Sequence, residues 1–600
     1  MKYAKKVISF LLAFVLLAGL SACSSRSADT DGQQLQPIDE RAKAEIRFAV
    51  SLLLDRNYIA GSIGQAGQQP ASSFVAMGMT DSDGGQFYLN AGHDKDFPGY
   101  FNTAAHAYEE NYAKAFDILS KYYHYDSRTG KFTDFPTITY LYNTSESHKA
   151  IAEYVQTVLG AIGIRVNLEN QEWSTFLNTR HEGDYGIARN GWVADYNDPL
   201  CFLDMWTSDS GNNDVQLGKG EHAGAAVYSM DLRPYGYDVV VENGTWAQTY
   251  DQLIQVIRSC RVAQTRYALM HLAEDLLMST GAIMPIYFYT DIYMCKASVA
   301  GFYANPMGHK YFHRTTVGGK TDSLSVCLAS EPQTLDPALV STVDGSSLVS
   351  HLFSGLARWE QDAQGKLRLE ADCAQSLDPG RDNSNGTVTY TYSLPPELKW
   401  SDGAPLTARD FVYAWNRAAS YELAADYGYM FEPIVGYEDV AAGKPGARLA
   451  VEALDDHTLQ VTLNGRIHYW DELLAFPAYF PVRQDVVEGR EDWATEPETL
   501  VSNGAYTMTD WKHNSLITLR KNEHYYAKEA VTMEKLRFFL SDDVNNMLTN
   551  FKNGTWLFID DVPTNEIAAL KRNYPDEFVI SGQIGTYYLC WNVNQSLEPK

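Results

Sequence analysis

The sequence predicts an α/β protein of at least two regions, on three observations. Residues 137–168 alternate, then run at helical spacing, then alternate again, which is the pattern of a βαβ unit with a right-handed crossover. Residues 185–206 read as a short strand (Tyr185-Gly-Ile-Ala-Arg189), a polar loop and an apolar helix start (Leu200-Cys-Phe-Leu-Asp-Met-Trp206). In open α/β sheets such strand-to-helix loops carry the ligand. Finally, 600 residues are too many for one core, and strands and helices alternate again after residue 320.

Composition narrows the partner. Hydrophobic content of 45% and charged content of 20% describe an ordinary globular chain. Aromatic content of 13%, with 39 Tyr and 12 Trp, suggests a broad surface that receives something by stacking. A net charge of −27 argues against nucleic acid or anionic lipid and is compatible with cationic or zwitterionic small ligands.

In chain order, Lys2, Lys5 and Lys6 precede an apolar run over 7–20 that is too short to span a membrane, and Leu20-Ser-Ala-Cys23 follows. Residues 1–22 resemble a lipoprotein signal, with Cys23 as the lipidated residue, and residues 23–36 read as a flexible tether. The expected location is the outer face of the cytoplasmic membrane, or its periplasmic side in a two-membrane envelope, with the membrane touched only through the lipid. The remaining cysteines, Cys201, Cys260, Cys295, Cys327, Cys373 and Cys590, are scattered and read mostly as buried apolar residues, with room for one disulfide.

A helix is expected from Arg41 to near Asn57, then a loop punctuated by Gly61, Gly64 and Gly67. Ser145 can cap a helix whose apolar positions are Ile151, Tyr154, Val155, Val158, Leu159 and Ile162, and Gly163 breaks it. A second helix starts near Ser174. In the loop 189–199, Asp198-Pro199 looks like an N-cap followed by a first-turn proline. Asp195, beside Trp192 and Tyr196, has two open readings: a second turn carboxylate, or a group that holds an amine. Residues 275–284 end a helix, 285–289 form a strand that can leave one domain for another, and Gly318-Gly-Lys-Thr321 reads as a linker. Residues 387–394 alternate as a strand, Trp400-Ser-Asp-Gly403 is a turn, and Thr407-Ala-Arg-Asp410 is a capping box for a helix with Phe411, Val412 and Trp415 inward.

His309 and His313 have helical ligand spacing but no acidic third ligand nearby, and no Gly-x-Ser-x-Gly elbow or Walker loop is present. No nucleophile–base constellation suggests an enzyme, and no cofactor is expected.

Several motifs together resemble the oligopeptide-type (family 5) solute-binding lipoproteins of ABC importers. They are Ala329-Ser-Glu-Pro-Gln-Thr-Leu-Asp-Pro337, Leu398-Lys-Trp-Ser-Asp-Gly-Ala-Pro-Leu-Thr407, Ser502-Asn-Gly-Ala-Tyr506, Phe48-Ala-Val-Ser-Leu-Leu-Leu-Asp-Arg56 and Gly191-Trp-Val-Ala-Asp-Tyr196. The resemblance runs from about Pro37 to Lys600 and implies a two-lobed periplasmic-binding-protein fold that closes on an oligopeptide and hands it to permease subunits. It implies that Asp195 pairs with the ligand's α-ammonium group and that Trp173, Trp192 and Tyr196 line the pocket. Arg189, Arg180 and His148 would receive the C-terminal carboxylate, and backbone around Val343 with Tyr427 or Tyr429 would face them from the other lobe.

The order of the motifs departs from the family: the segments of its second half come first here. The chain looks like a circular permutant, with 37–284 as the family's second lobe, 285–319 as the return and linker, and 320–600 as the first lobe. On that view Pro37 and Lys600 lie close together, one covalent crossing remains near Pro285, and the tether leaves beside the hinge. A monomer is expected. The alternatives are the same fold tuned to a metal chelate, oligosaccharide or haem, and a peptide-sensing receptor that feeds no transporter.

Overall fold

Helix α1 (Glu40–Leu52) opens the structure, a computed structural model that describes residues 35–92 and 96–600. The signal, Cys23 and most of the tether lie outside the described residues. Asp39 caps α1 by accepting from the Ala42 N–H at 2.9 Å. The helix stops at Leu52, short of Asn57, because Asp55 accepts from the Asn57 and Tyr58 N–H groups and starts a new short turn. The glycine-punctuated stretch beyond it is a π-helical turn, Ile59–Gly64, and not a plain loop.

The βαβ unit forms as its spacing predicts. Strand β1 (Ile138–Asn143) and strand β2 (Val166–Gln171) pair in parallel, and helix α2 (Glu146–Ala161) between them buries Ile151, Ala152, Val155 and Leu159 on one face. Helix α3 (Trp173–Glu182) follows and ends at Gly183, whose φ of 79° suits a left-handed cap. Strand β3 (Ile187–Val193) returns parallel to β1. Helix α4 (Ala263–Ser279) then leads into β4 (Ile283–Cys295), a strand of 13 residues.

The second half adds β5 (Leu324–Leu328), helix α5 (Val343–Leu352), helix α6 (Ala408–Ala418), β6 (Tyr506–Lys512), β7 (Leu516–Lys521), β8 (Lys535–Leu540), β9 (Phe558–Ile559) and β10 (Phe578–Trp591). The capping box at α6 is present, with the Thr407 N–H donating to Asp410 at 2.8 Å; Phe411 and Trp415 are buried and Val412 is half-buried. This helix packs on a separate sheet of strands Arg381–Asp382, Val388–Ser393, Thr458–Leu463 and Val451–Asp455. Gly318 and Gly319, at φ 57° and 78°, make a tight turn closed by Val317 and Lys320.

The main sheet runs β6-β7-β8-β5-β9-β4-β10-β3-β1-β2. Its two wings, β5 to β9 on one side and β1 to β3 on the other, meet at the antiparallel pair β4 and β10. Residues 578–582 of β10 pair with 290–294 of β4, and residues 586–590 pair with 283–288, with a register break between Gly582 and Thr586. Both long strands therefore pass from one wing to the other. The expected single crossing near Pro285 is corrected to two, because β10 runs on through the junction and pairs with β3 from Gly585↔Val193 to Trp591↔Ile187.

Gln36 donates to the Lys121 carbonyl at 2.8 Å and Lys600 to the Asp134 carbonyl at 2.9 Å, so the described beginning and the last residue both reach the segment 121–134. Seven of the 12 tryptophans (Trp206, Trp246, Trp400, Trp415, Trp470, Trp493 and Trp591) are fully buried, so much of the aromatic excess belongs to the cores. The cysteines of the described residues are all free thiols, and all but Cys295 are buried. No helix among the described residues is long and apolar enough to cross a membrane.

Candidate functional site

Strand β3 runs four residues past the Arg189 end that the sequence suggests, since its pairing with β10 holds residues 190–193 extended. The loop is consequently 194–199. It faces a cavity of about 430 Å³ between the wings, closed on the far side by the N-terminal end of α5 and by Asp426 and Tyr427.

Asp198 has a structural role, one residue before the N-cap position, which falls on Pro199: its Oδ1 accepts from the Leu200 N–H at 3.0 Å, and it is fully buried against Arg266. Asp195 is different. Its Oδ1 accepts from the Tyr427 hydroxyl at 3.1 Å, while its Oδ2 is buried in the cavity wall with no partner among the described residues. Burial pushes this carboxyl well above the usual aspartate range, more than the Tyr427 hydrogen bond pulls it down.

Arg189 also lines the cavity and is nine-tenths buried. Its guanidinium lies 5.7 Å from the ring centres of Trp173, Phe176 and Tyr587, and its Nη2 is 2.7 Å from His148 Nε2. Burial, and then Arg189 itself, push the His148 imidazole well below its ordinary value, so it is neutral and can accept from the arginine. Arg189 Nε is buried without a partner, and no carboxylate stands within ion-pair distance of Arg189 among the described residues. Arg180, by contrast, is committed: its Nε is 2.8 Å from Asp214 Oδ2.

The other sequence candidates divide. Trp173, Trp192 and Val343 line the cavity; the Trp192 indole donates to the Cys201 carbonyl at 2.8 Å. His148 stands behind Arg189 and outside the lining. Tyr196 is buried outside the cavity lining, stacked on Tyr469 at 4.5 Å. Tyr429 does not line the cavity; its neighbour Tyr427 takes that place. Sequence reasoning missed Asp426, Asp214 and His309, which also line it. Burial, with Asp214 nearby, pushes the Asp426 carboxyl up, and burial pushes His309 down to about 4. Asp426 and Asp214 sit in no spacing that the sequence marks as chemical, and the helical ligand spacing of His309 with His313 points to a metal rather than to this cavity.

The cavity is thus dipolar, with an unpartnered carboxylate oxygen at the loop and an arginine without a carboxylate at β3.

Comparison with known proteins gives this arrangement a family. The family described as "Bacterial extracellular solute-binding proteins, family 5 Middle" matches residues 37–214 and 368–599, more than half of the chain. The oligopeptide-binding protein OppA of Bacillus subtilis (strain 168) is 33% identical over 261 residues, covering 42% of this chain and 46% of that protein. The periplasmic oligopeptide-binding protein OppA of Escherichia coli (strain K12) is 31% identical over 275 residues, covering 45% and 48%. A solved structure of Burkholderia pseudomallei OppA aligns with a TM-score of 0.39 at 28% identity, covering 42% of this chain and 48% of that one. In each case the match spans about half the relative's length. The chain belongs to the bacterial extracellular solute-binding proteins, family 5.

Proposed function

We propose that this protein captures short peptides between its two wings and delivers them to the permease of an ABC importer, held at the membrane by a lipid on Cys23. The observation that carries the reading is the buried, unpartnered Asp195 Oδ2 facing the cavity. A buried carboxylate oxygen without a donor is costly, and a peptide's α-ammonium group supplies the missing donors and charge. Arg189, on β3 in the same cavity, offers a guanidinium for the peptide's carboxylate, with His148 behind it as acceptor and Tyr427 holding Asp195. Arg180 is the weaker candidate for that carboxylate, being paired with Asp214. The backbone at Val343 and at β3 is placed to pair with an extended peptide, which gives affinity with little side-chain selectivity.

The same reading takes residues 37–284 and 320–600 as the family's two halves in exchanged order, joined through 285–319. The shared contact of Gln36 and Lys600 with segment 121–134 supports it. So do matches that stop at about half of each relative, as a collinear alignment would across an exchange of halves. On this reading the second lobe also takes in residues 587–600, an assignment supported by their pairing and packing with β3's wing.

Asp195→Asn, titrated with trialanine and with N-acetylated trialanine, tests the amine role. The substitution is expected to weaken the free-amine peptide by about 2–5 kcal/mol, the scale of breaking a buried charge pair, and to leave the acetylated one nearly unchanged. Equal losses for both would remove Asp195 from that role.

A further inference from the structure

Four consecutive residues of the loop that carries Asp195 touch the half of the chain that follows residue 320. Asp195 Oδ1 accepts from Tyr427 at 3.1 Å. Tyr196 stacks on Tyr469 with ring centres 4.5 Å apart and planes 14° from parallel. The Asn197 N–H donates to Glu472 Oε2 at 2.8 Å. His468 Nε2 stands 3.3 Å from Asp198 Oδ2. Three of the four partners come from the stretch 468–472, around the helical turn Trp470–Leu473, and none of those three lines the cavity.

On its own side the loop is braced rather than free. Asp198 accepts from both terminal nitrogens of Arg266, on α4, at 2.7 and 2.9 Å, and the Tyr196 hydroxyl donates to Asp204 at 3.3 Å. A rigid loop that meets the other half at four successive positions transmits what happens at one of them to the rest.

The energetics make closure conditional on a ligand. Bringing the halves together buries the Asp195 carboxylate with one oxygen unpaired and draws Glu472 into a setting whose burial raises its carboxyl's pKa. Those costs oppose closure of an empty site. An amine at Asp195 Oδ2 removes the first cost, while the contacts at 196–198 form in the same movement. Ligand binding shifts a closing equilibrium only by what it changes between the two states, and here the change and the contacts share one loop.

We propose that residues 195–198 form a latch that couples amine capture to closure, with Glu472 and His468 as positioning residues that slow ligand escape without touching the ligand. The inference rests on the peptide-binding reading above.

Stopped-flow tryptophan fluorescence with trialanine and trilysine on the whole soluble chain tests it. Glu472→Ala and His468→Ala are each expected to raise the dissociation rate about tenfold, equivalent to about 1.4 kcal/mol, with association changed by less than about threefold. The loss should be the same for both peptides, and Glu472→Gln, which keeps an acceptor oxygen, should stay within about twofold of the unsubstituted chain. Dissociation unchanged in both alanine variants overturns the latch. A loss that differs between the two peptides also overturns it, since these side chains would then be touching ligand. Should Glu472→Ala melt early, His468→Ala decides alone, its side chain being half exposed. Absence of binding by the unsubstituted chain would instead refute the peptide reading, a distinct result.

Discussion

Asp195 and Asp198 stand three residues apart on one loop and do opposite jobs. Asp198 is saturated by a backbone N–H and by Arg266, so its charge is spent on structure. Asp195 keeps one oxygen in reserve. Because burial holds its carboxyl well above the usual value, its charge is lost at a higher pH than that of an ordinary aspartate, near 3.9. Binding a free-amine peptide needs the ionised carboxylate. Affinity should therefore fall as pH drops through that raised value, by up to about tenfold per unit below it. Calorimetric titration over a descending pH series checks this, with the N-acetylated peptide expected to stay flat. At this scale the sequence was partly legible. The loop's polar and aromatic content pointed to Asp195 beside Trp192, and the family resemblance added Arg189; all three reach the cavity. Tyr196 misled, since its ring stacks on Tyr469 and not in the cavity, a contact that no local window contains. The choice between Tyr427 and Tyr429 needed the turn Gly428–Phe431 in three dimensions.

Among the elements, helix α4 carries a buried Glu274 whose Oε1 accepts from the Phe74 and Val75 N–H groups at 3.0 and 2.8 Å, with Oε2 buried and unpartnered. Burial pushes its carboxyl up to about 8 from the ordinary 4.5. The folded protein thus holds a proton there that the unfolded chain releases, so this contribution to stability is full below pH 4.5 and is lost as pH rises towards 8. Glu274→Gln, which keeps the accepting oxygen without the charge, should raise Tm at pH 8 and change it little at pH 5, with a gain of up to about 3 kcal/mol at neutral pH. A variant that melts lower at pH 8 would contradict that account. Elements with strong periodicity, such as α2 between β1 and β2, were legible because one face carries the whole pattern. The ends of β3 and β10 were not, because their length comes from pairing with each other, residues 187–193 against 585–591, which no local window contains.

Over the whole molecule, the wings are joined by β4 and β10, and the loop 195–198 touches the half after residue 320 at Tyr427, beside the cavity, and at Glu472, outside its lining. The family and the two-part organisation were legible from motifs. The path of the chain through the junction was not, since it depends on where β10 stops pairing with β4's first half and continues beside β3. Two crossings make a two-stranded hinge, and bending at the register break between Gly582 and Thr586 would let the wings part while both strands stay paired within each wing. The exchanged order of halves proposed above would cost such a fold little, because Gln36 and Lys600 both reach the segment 121–134.

The most direct test of the central claim is native mass spectrometry of the purified chain from residue 37 onward. A monomer carrying a heterogeneous set of bound masses that match short peptides, displaced by added trialanine, is the result predicted. A chain that stays empty after trialanine is added, or that appears only as a dimer, would contradict it.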